Sequence, residues 1–121
     1  MSRRRRSLMA QIRIGILPLE IETGRYTPIF DKLIKKNRRR EPNERICKLC
    51  DLNKTEDEFH FLCICPIYTA SRIKLITQIS LTVKEFPTLS LHDQFIYLMK
   101  HRQIEVSKYL DEIWAIRQST I

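Results

Sequence analysis

Apolar residues between Leu8 and Leu17 recur at helical spacing, at Leu8, Met9, Ile12, Ile16 and Leu17. They predict an amphipathic helix that stops before Pro18, because a residue ahead of proline is driven out of the α region. LEIETGRYTPIF, with Gly24 and Pro28, reads as an extended connection, and Ile29, Phe30, Leu33 and Ile34 as a short second helix. Thr55 to Glu58 has the form of a capping box and predicts a helix from Glu56 to Pro66, with His60 near its middle. Ile67 to Ile79 follows as another helix, with Ile67, Ala70, Ile73 and Ile76, and Leu75 as a further candidate, facing inward. Beyond the break at Pro87, Ser90 reads as an N-cap for a helix presenting Leu91, Phe95, Leu98 and Met99. A last helix over Ile104 to Arg117 carries Val106, Tyr109, Leu110, Ile113 and Trp114 on one face.

Composition supports this picture. A chain of 121 residues with 43% hydrophobic content suits one domain with a modest core, and only two glycines leave few turn signals for a β-sandwich or barrel. The expected class is mainly α. No stretch approaches the roughly 18 uninterrupted apolar residues of a membrane span, so a soluble chain with no membrane partner is expected.

Charge divides the chain. Residues 1–50 carry a net +9 and residues 51–121 a net −1. The excess lies in two runs, Arg3 to Arg6 and Lys35 to Arg40, with Pro42 closing an expected exposed basic loop. Such runs attract polyanions through counterion release and also serve as nuclear-import signals. They predict an intracellular, nuclear protein, with residues 1–7 as a flexible basic arm. In a reducing compartment clustered cysteines point to metal ligation more than to disulfides.

All four cysteines fall within nineteen residues, in the order C-x2-C-x9-H-x4-C for Cys47, Cys50, His60 and Cys65, with Cys63 as a fifth candidate. Two residues between Cys47 and Cys50 let both sulfurs face one point on a tight turn, and a thiolate–imidazole set suits tetrahedral Zn²⁺. Four protein ligands leave no position for water, so such a site is structural. Helical geometry favours Cys63, at i+3 from His60; Pro66 favours unwinding that would bring in Cys65, at i+5. Spacing alone leaves the two open. A redox C-x2-C needs a thioredoxin-like βαβ setting that is not evident here, and His92 and His101 lie outside the cluster.

Taken together, MAQIRIGILPLEIETGRY, ERICKLCDLNKTEDEFHFLCICPIY and SRIKLI resemble the zinc-binding segment downstream of the reverse transcriptase in non-LTR retrotransposon proteins, over about residues 8–77. The resemblance implies Cys47, Cys50, His60 and Cys65 as ligands, against Cys63. It also implies a role in holding nucleic acid. No polymerase, endonuclease or RNase H region is expected within these 121 residues, and Tyr109 to Glu112 reads as a chance approach to a polymerase signature. With no paired carboxylates, activated nucleophile or phosphate loop, the chain is not expected to be an enzyme.

The expected molecule is therefore a small zinc-stabilised helical domain over residues 8–121, with a zinc-knuckle-like segment at 45–66 and C-terminal helices at 67–121. Its expected partner is RNA or single-stranded DNA. Arg38, Arg39, Arg40, Arg45 and Lys48 are the expected phosphate contacts, and Tyr68 is a candidate stacking residue. The alternatives are a zinc-stabilised protein-interaction scaffold using the helices from Leu91 to Arg117, or a retrotransposon relic without function.

Overall fold

A computed structural model describes residues 1–26 and 28–120. The chain is mainly helical. Its elements are α1 (Arg3–Arg13), a single turn α2 (Glu20–Thr23), a hairpin of β1 (Ile29–Asp31) and β2 (Lys36–Arg38), a π-turn (His60–Ile64), α3 (Thr69–Ser80), α4 (Leu91–Lys100) and α5 (Gln103–Thr120). Among the described residues no helix is long and apolar enough to cross a membrane.

Helix α1 starts earlier than the apolar pattern suggests, because the Ser2 hydroxyl accepts from the Arg5 amide at 3.2 Å. Arg3 to Arg6 thus lie within the helix, where a flexible arm was expected, and Arg4 reaches Asp111 of α5 at 2.6 Å. The helix also ends earlier. Gly15 takes φ +75°, and the Gly15 and Ile16 amides bond back to the carbonyls of Ile12 and Gln11, a Schellman stop four residues before Leu19. Leu8, Met9 and Ile12 are buried against α5, whereas Ile16, counted in the same stripe, is exposed. Leu17 and Leu19 then enter the core on either side of Pro18.

The segment expected as a second helix is an antiparallel hairpin with register Ile29↔Arg38, Phe30↔Asn37 and Asp31↔Lys36. Its apolar side chains have no helical face to bury, and all four remain exposed. Half of the expected basic loop is strand β2, and Pro42–Glu44 forms one 3₁₀ turn ahead of the cysteines.

Residues 45–56 fold back as a narrow antiparallel pair: Ile46 faces Thr55, the Cys47 amide bonds to Lys54, and the Glu56 amide bonds to Arg45. That pairing holds Thr55 and Glu56 extended, so the expected capping box does not form. Asp57 caps the turn in its place, its carboxylate accepting from the His60 amide at 2.8 Å, while the Thr55 hydroxyl donates to the Pro42 carbonyl.

Three helices close the core. In α3 the inward positions are Ser71, Leu75 and Ile79, one step from the expected stripe, and Ala70 and Ile73 are exposed. Ser90 caps α4 as expected, accepting from the Asp93 amide at 3.1 Å. Helix α5 buries Val106, Tyr109, Leu110 and Ile113, with Trp114 half-buried beside Phe61.

Candidate metal centre

The four donors of the cysteine cluster arrive on three local devices. Cys47 ends the first arm of the narrow pair, and Cys50 lies on the turn that follows. The amides of Leu49 and Cys50 turn back toward the Cys47 sulfur, a contact that favours thiolate over thiol. His60 and Cys65 bound the π-turn, in which the Cys65 amide bonds to the His60 carbonyl at 2.8 Å, five residues back. That extra residue per turn brings position i+5 under position i, which an α-helix does not do. The Ile67 amide, just past Pro66, turns toward the Cys65 sulfur in the same way.

Of the two late cysteines, it is Cys65 that the fold brings to the other donors. The ligand atoms of Cys47, Cys50, His60 and Cys65 all lie within 4.8 Å of one another and could hold a metal ion. Cys47 Sγ and Cys65 Sγ are 4.0 Å apart, and Cys50 Sγ and His60 Nε2 3.5 Å apart. Cys63 belongs to no such group among the described residues; it is buried on the far side of the turn, toward Arg72 and Tyr109. None of the four cysteines forms a disulfide.

Burial shapes the chemistry of the set. Cys47, His60 and Cys65 are buried and Cys50 is half-buried, leaving one edge near the surface. Removal from water pushes the Cys65 thiol up to about 12, with the neighbouring Cys47 and Cys50 adding to the shift, and moves Cys47 upward as well. Burial lowers His60, favouring the neutral imidazole that ligates metals. Its Nδ1 is buried without a hydrogen-bond partner among the described residues.

The surroundings hold the turn rigidly. Opening a helical turn to π geometry leaves carbonyls without partners, and Arg72 of α3 donates to those of Leu62 and Cys65, at 3.1 and 2.8 Å. Tyr109 of α5 donates to Leu62 as well, at 2.6 Å. Phe59 packs edge-on against Phe95 of α4, and Phe61 against Tyr68 and Trp114. The π-turn is therefore clamped by all three C-terminal helices.

A residue that periodicity missed lies at the base of the centre. Glu56, read in the sequence as a first-turn acid, is 1% exposed and accepts two hydrogen bonds from Arg117, at 2.9 and 2.7 Å, and one from the Glu20 amide at 2.7 Å. Its partner lies 61 residues away, so no local pattern could have signalled the pairing.

The expected phosphate contacts separate into two groups. Arg45 is buried, donating to the carbonyls of Ile21 and Arg40. Arg40 pairs with Glu20 at 2.8 Å, and Arg38 pairs with Asp31 and Glu44 at 2.9 and 2.7 Å. These three arginines are internal braces: acids of the first half fold back onto Arg38 and Arg40, and backbone carbonyls take the guanidinium of Arg45. Arg39 is exposed, and so is Lys48, which reaches Glu20 at 3.2 Å. Burial pushes the Glu20 carboxyl up, but bonds from Arg40 and Lys48 outweigh it and hold it below its ordinary value. Tyr68, the candidate stacking residue, is buried in the core.

No family model, curated protein or solved structure matches the chain.

Proposed function

We propose that the protein is a zinc-stabilised module that binds nucleic acid through its basic N-terminal half, as in the retrotransposon segments that its sequence resembles. The observation that carries the zinc assignment is the donor spacing. For a regular tetrahedron with Zn–S near 2.3 Å and Zn–N near 2.0 Å, the edges are about 3.8 Å between sulfurs and about 3.5 Å from sulfur to nitrogen. The separations of 4.0 and 3.5 Å are close to two of those edges, and all four donors lie within 4.8 Å of one another. Three thiolates and one imidazole are a soft, four-donor set that favours zinc over magnesium or calcium, and they leave no open position for a reacting water. The ion would fix the geometry of the cysteine pair and the π-turn, and no catalytic step is assigned to it.

The nucleic-acid reading is supported by the +9 of residues 1–50 and by exposed Lys32, Lys35, Lys36 and Arg39 on and beside the hairpin and Lys48 on the cysteine turn. The protein-scaffold alternative has less to stand on: Leu98 and Ile113 are buried in the core, and Met99 and Trp114 pack against it.

Two measurements test the reading. Metal content of the purified chain should show one equivalent of zinc, kept in Cys63→Ser and lost in Cys65→Ser; the reverse pattern overturns the ligand assignment. Affinity for an RNA or single-stranded DNA oligonucleotide should fall steeply with salt, by about 0.7 in the log–log slope per phosphate neutralised. Absent or salt-insensitive binding overturns the nucleic-acid role.

A further inference from the structure

The hairpin is an unusual use of chain. An isolated two-stranded ribbon is marginal in water, and this one buries little of its own apolar surface: Phe30 is 58% exposed and Leu33 94%. It is held at its base. Arg38 joins it to Glu44, and Arg40, just past β2, is tied to Glu20, which also takes Lys48 of the cysteine turn. A segment braced at one end and bare along its length is presented to something.

The register separates its two faces, because residues directly opposite one another share a face and the pattern alternates along each strand. Ile29, Asp31, Lys36 and Arg38 lie on one face. On it Arg38 and Asp31 are half-buried and bonded to each other and Arg38 also holds Glu44, while Ile29 and Lys36 stay exposed, so this face is the one anchored to the rest of the protein, through Arg38. Phe30 and Asn37 lie opposite one another on the other face, and both are exposed. Arg39 follows at the base of that face, and Lys32 and Lys35 stand at the turn beyond it; all three are exposed. Asp31 is the one acid between Pro28 and Arg40, and it belongs to the anchored face.

We infer that this outer face binds single-stranded nucleic acid, one base stacking on Phe30 while Arg39, Lys32 and Lys35 take the flanking phosphates. Asn37, directly across from the ring, offers both a donor and an acceptor to the edge of the stacked base. An unpaired base gives the Phe30 ring a π-face that is closed off inside a duplex, and the cations match the backbone on either side. The inference rests on the nucleic-acid reading above and moves its contacts from Arg38, Arg40 and Arg45, which brace the hairpin, to the residues that they present.

The test is fluorescence anisotropy with the zinc-loaded full chain and a labelled twelve-nucleotide oligo(U), repeated with oligo(dT) and with a duplex of equal length. Phe30→Ala should weaken single-strand binding about tenfold or more, since stacking of one base on an aromatic side chain contributes about that much. Phe30→Tyr should keep it, and Lys35→Ala with Arg39→Ala should flatten the salt slope by about 0.7 each. Phe30 is exposed, so zinc content and helicity should be unchanged in every variant. Full affinity in Phe30→Ala, or equal affinity for duplex, overturns the inference while leaving nucleic-acid binding intact. No binding by the unaltered chain removes both. Association with anionic phosphatidylserine vesicles that is lost in Leu33→Ser, with no preference for oligonucleotide, would assign the hairpin to a lipid surface and overturn the inference.

Discussion

Glu56 and Arg117 stand 61 residues apart in sequence and share two hydrogen bonds in a nearly dry setting. Removing one member of such a pair strands the other charge, at a typical cost of about 3–5 kcal/mol. Arg117→Met should therefore lower unfolding stability by that order in urea titrations, and Glu56→Gln combined with it should recover part of the loss. A single variant within 1 kcal/mol of the parent chain would show that the pair does not tie α5 to the metal-bearing segment. The same distinction applies to the basic residues: Arg45→Ala should lower stability, because it deprives two carbonyls of their donor, whereas Arg39→Ala should leave stability unchanged. The sequence marked the donor cluster at this scale, because metal ligation depends on residue type and short spacing, but spacing left Cys63 and Cys65 open and only the family resemblance favoured Cys65. It did not reveal which arginines are free, because Glu20, Asp31 and Glu44 reach them only through the fold.

At the scale of elements, legibility followed the number of turns. Helices α4 and α5 were visible as stripes because several turns each repeat the apolar pattern, and Ser90 marked one start by its own side chain. The shorter pieces were decided by features that periodicity does not weigh. Gly15 stops α1 through its positive φ, and Gly24 fits where a Cβ would run into the Arg45 side chain and lie 2.6 Å from the Glu20 carbonyl oxygen. Gly15→Ala should cost about 1 kcal/mol through backbone strain, and Gly24→Ala should cost more, because Arg45 must give up its bonds to make room. In α3, Leu75→Ala should cost about 2–5 kcal/mol and Ile73→Ala less than about 0.5, both by chemical denaturation. Equal effects would mean that the register is the one the sequence pattern suggested. The π-turn was the hardest feature to foresee. Pro66 signals an unwinding after His60, but the bonds from Arg72 and Tyr109 that hold the opened turn come from outside it.

Across the whole molecule, the candidate metal centre lies between two unlike halves: a basic N-terminal half braced by its own few acids, and a near-neutral helical half that clamps the π-turn. Apparent zinc-binding energies of about 10–16 kcal/mol equal or exceed the whole stability of a domain this size. Chelation should therefore unfold residues 45–68 and loosen α3 to α5 with them, seen as a loss of slow-exchanging amides. The pH response should depend on loading. In the metal-free chain the buried thiols are raised, Cys65 to about 12 from an ordinary 9. Above pH 9 the unfolded state then holds fewer protons than the folded one, so metal-free stability falls as pH rises. The loaded chain should instead gain stability from pH 6 to 8, because its ligands must shed protons to bind. Parallel behaviour of the two forms would argue against thiolate ligation. The most direct test is X-ray absorption at the zinc edge on the purified, unaltered chain. The account predicts three sulfurs near 2.3 Å and one nitrogen near 2.0 Å. A shell of four sulfurs, or one with added oxygen from water, would contradict a closed centre of Cys47, Cys50, His60 and Cys65.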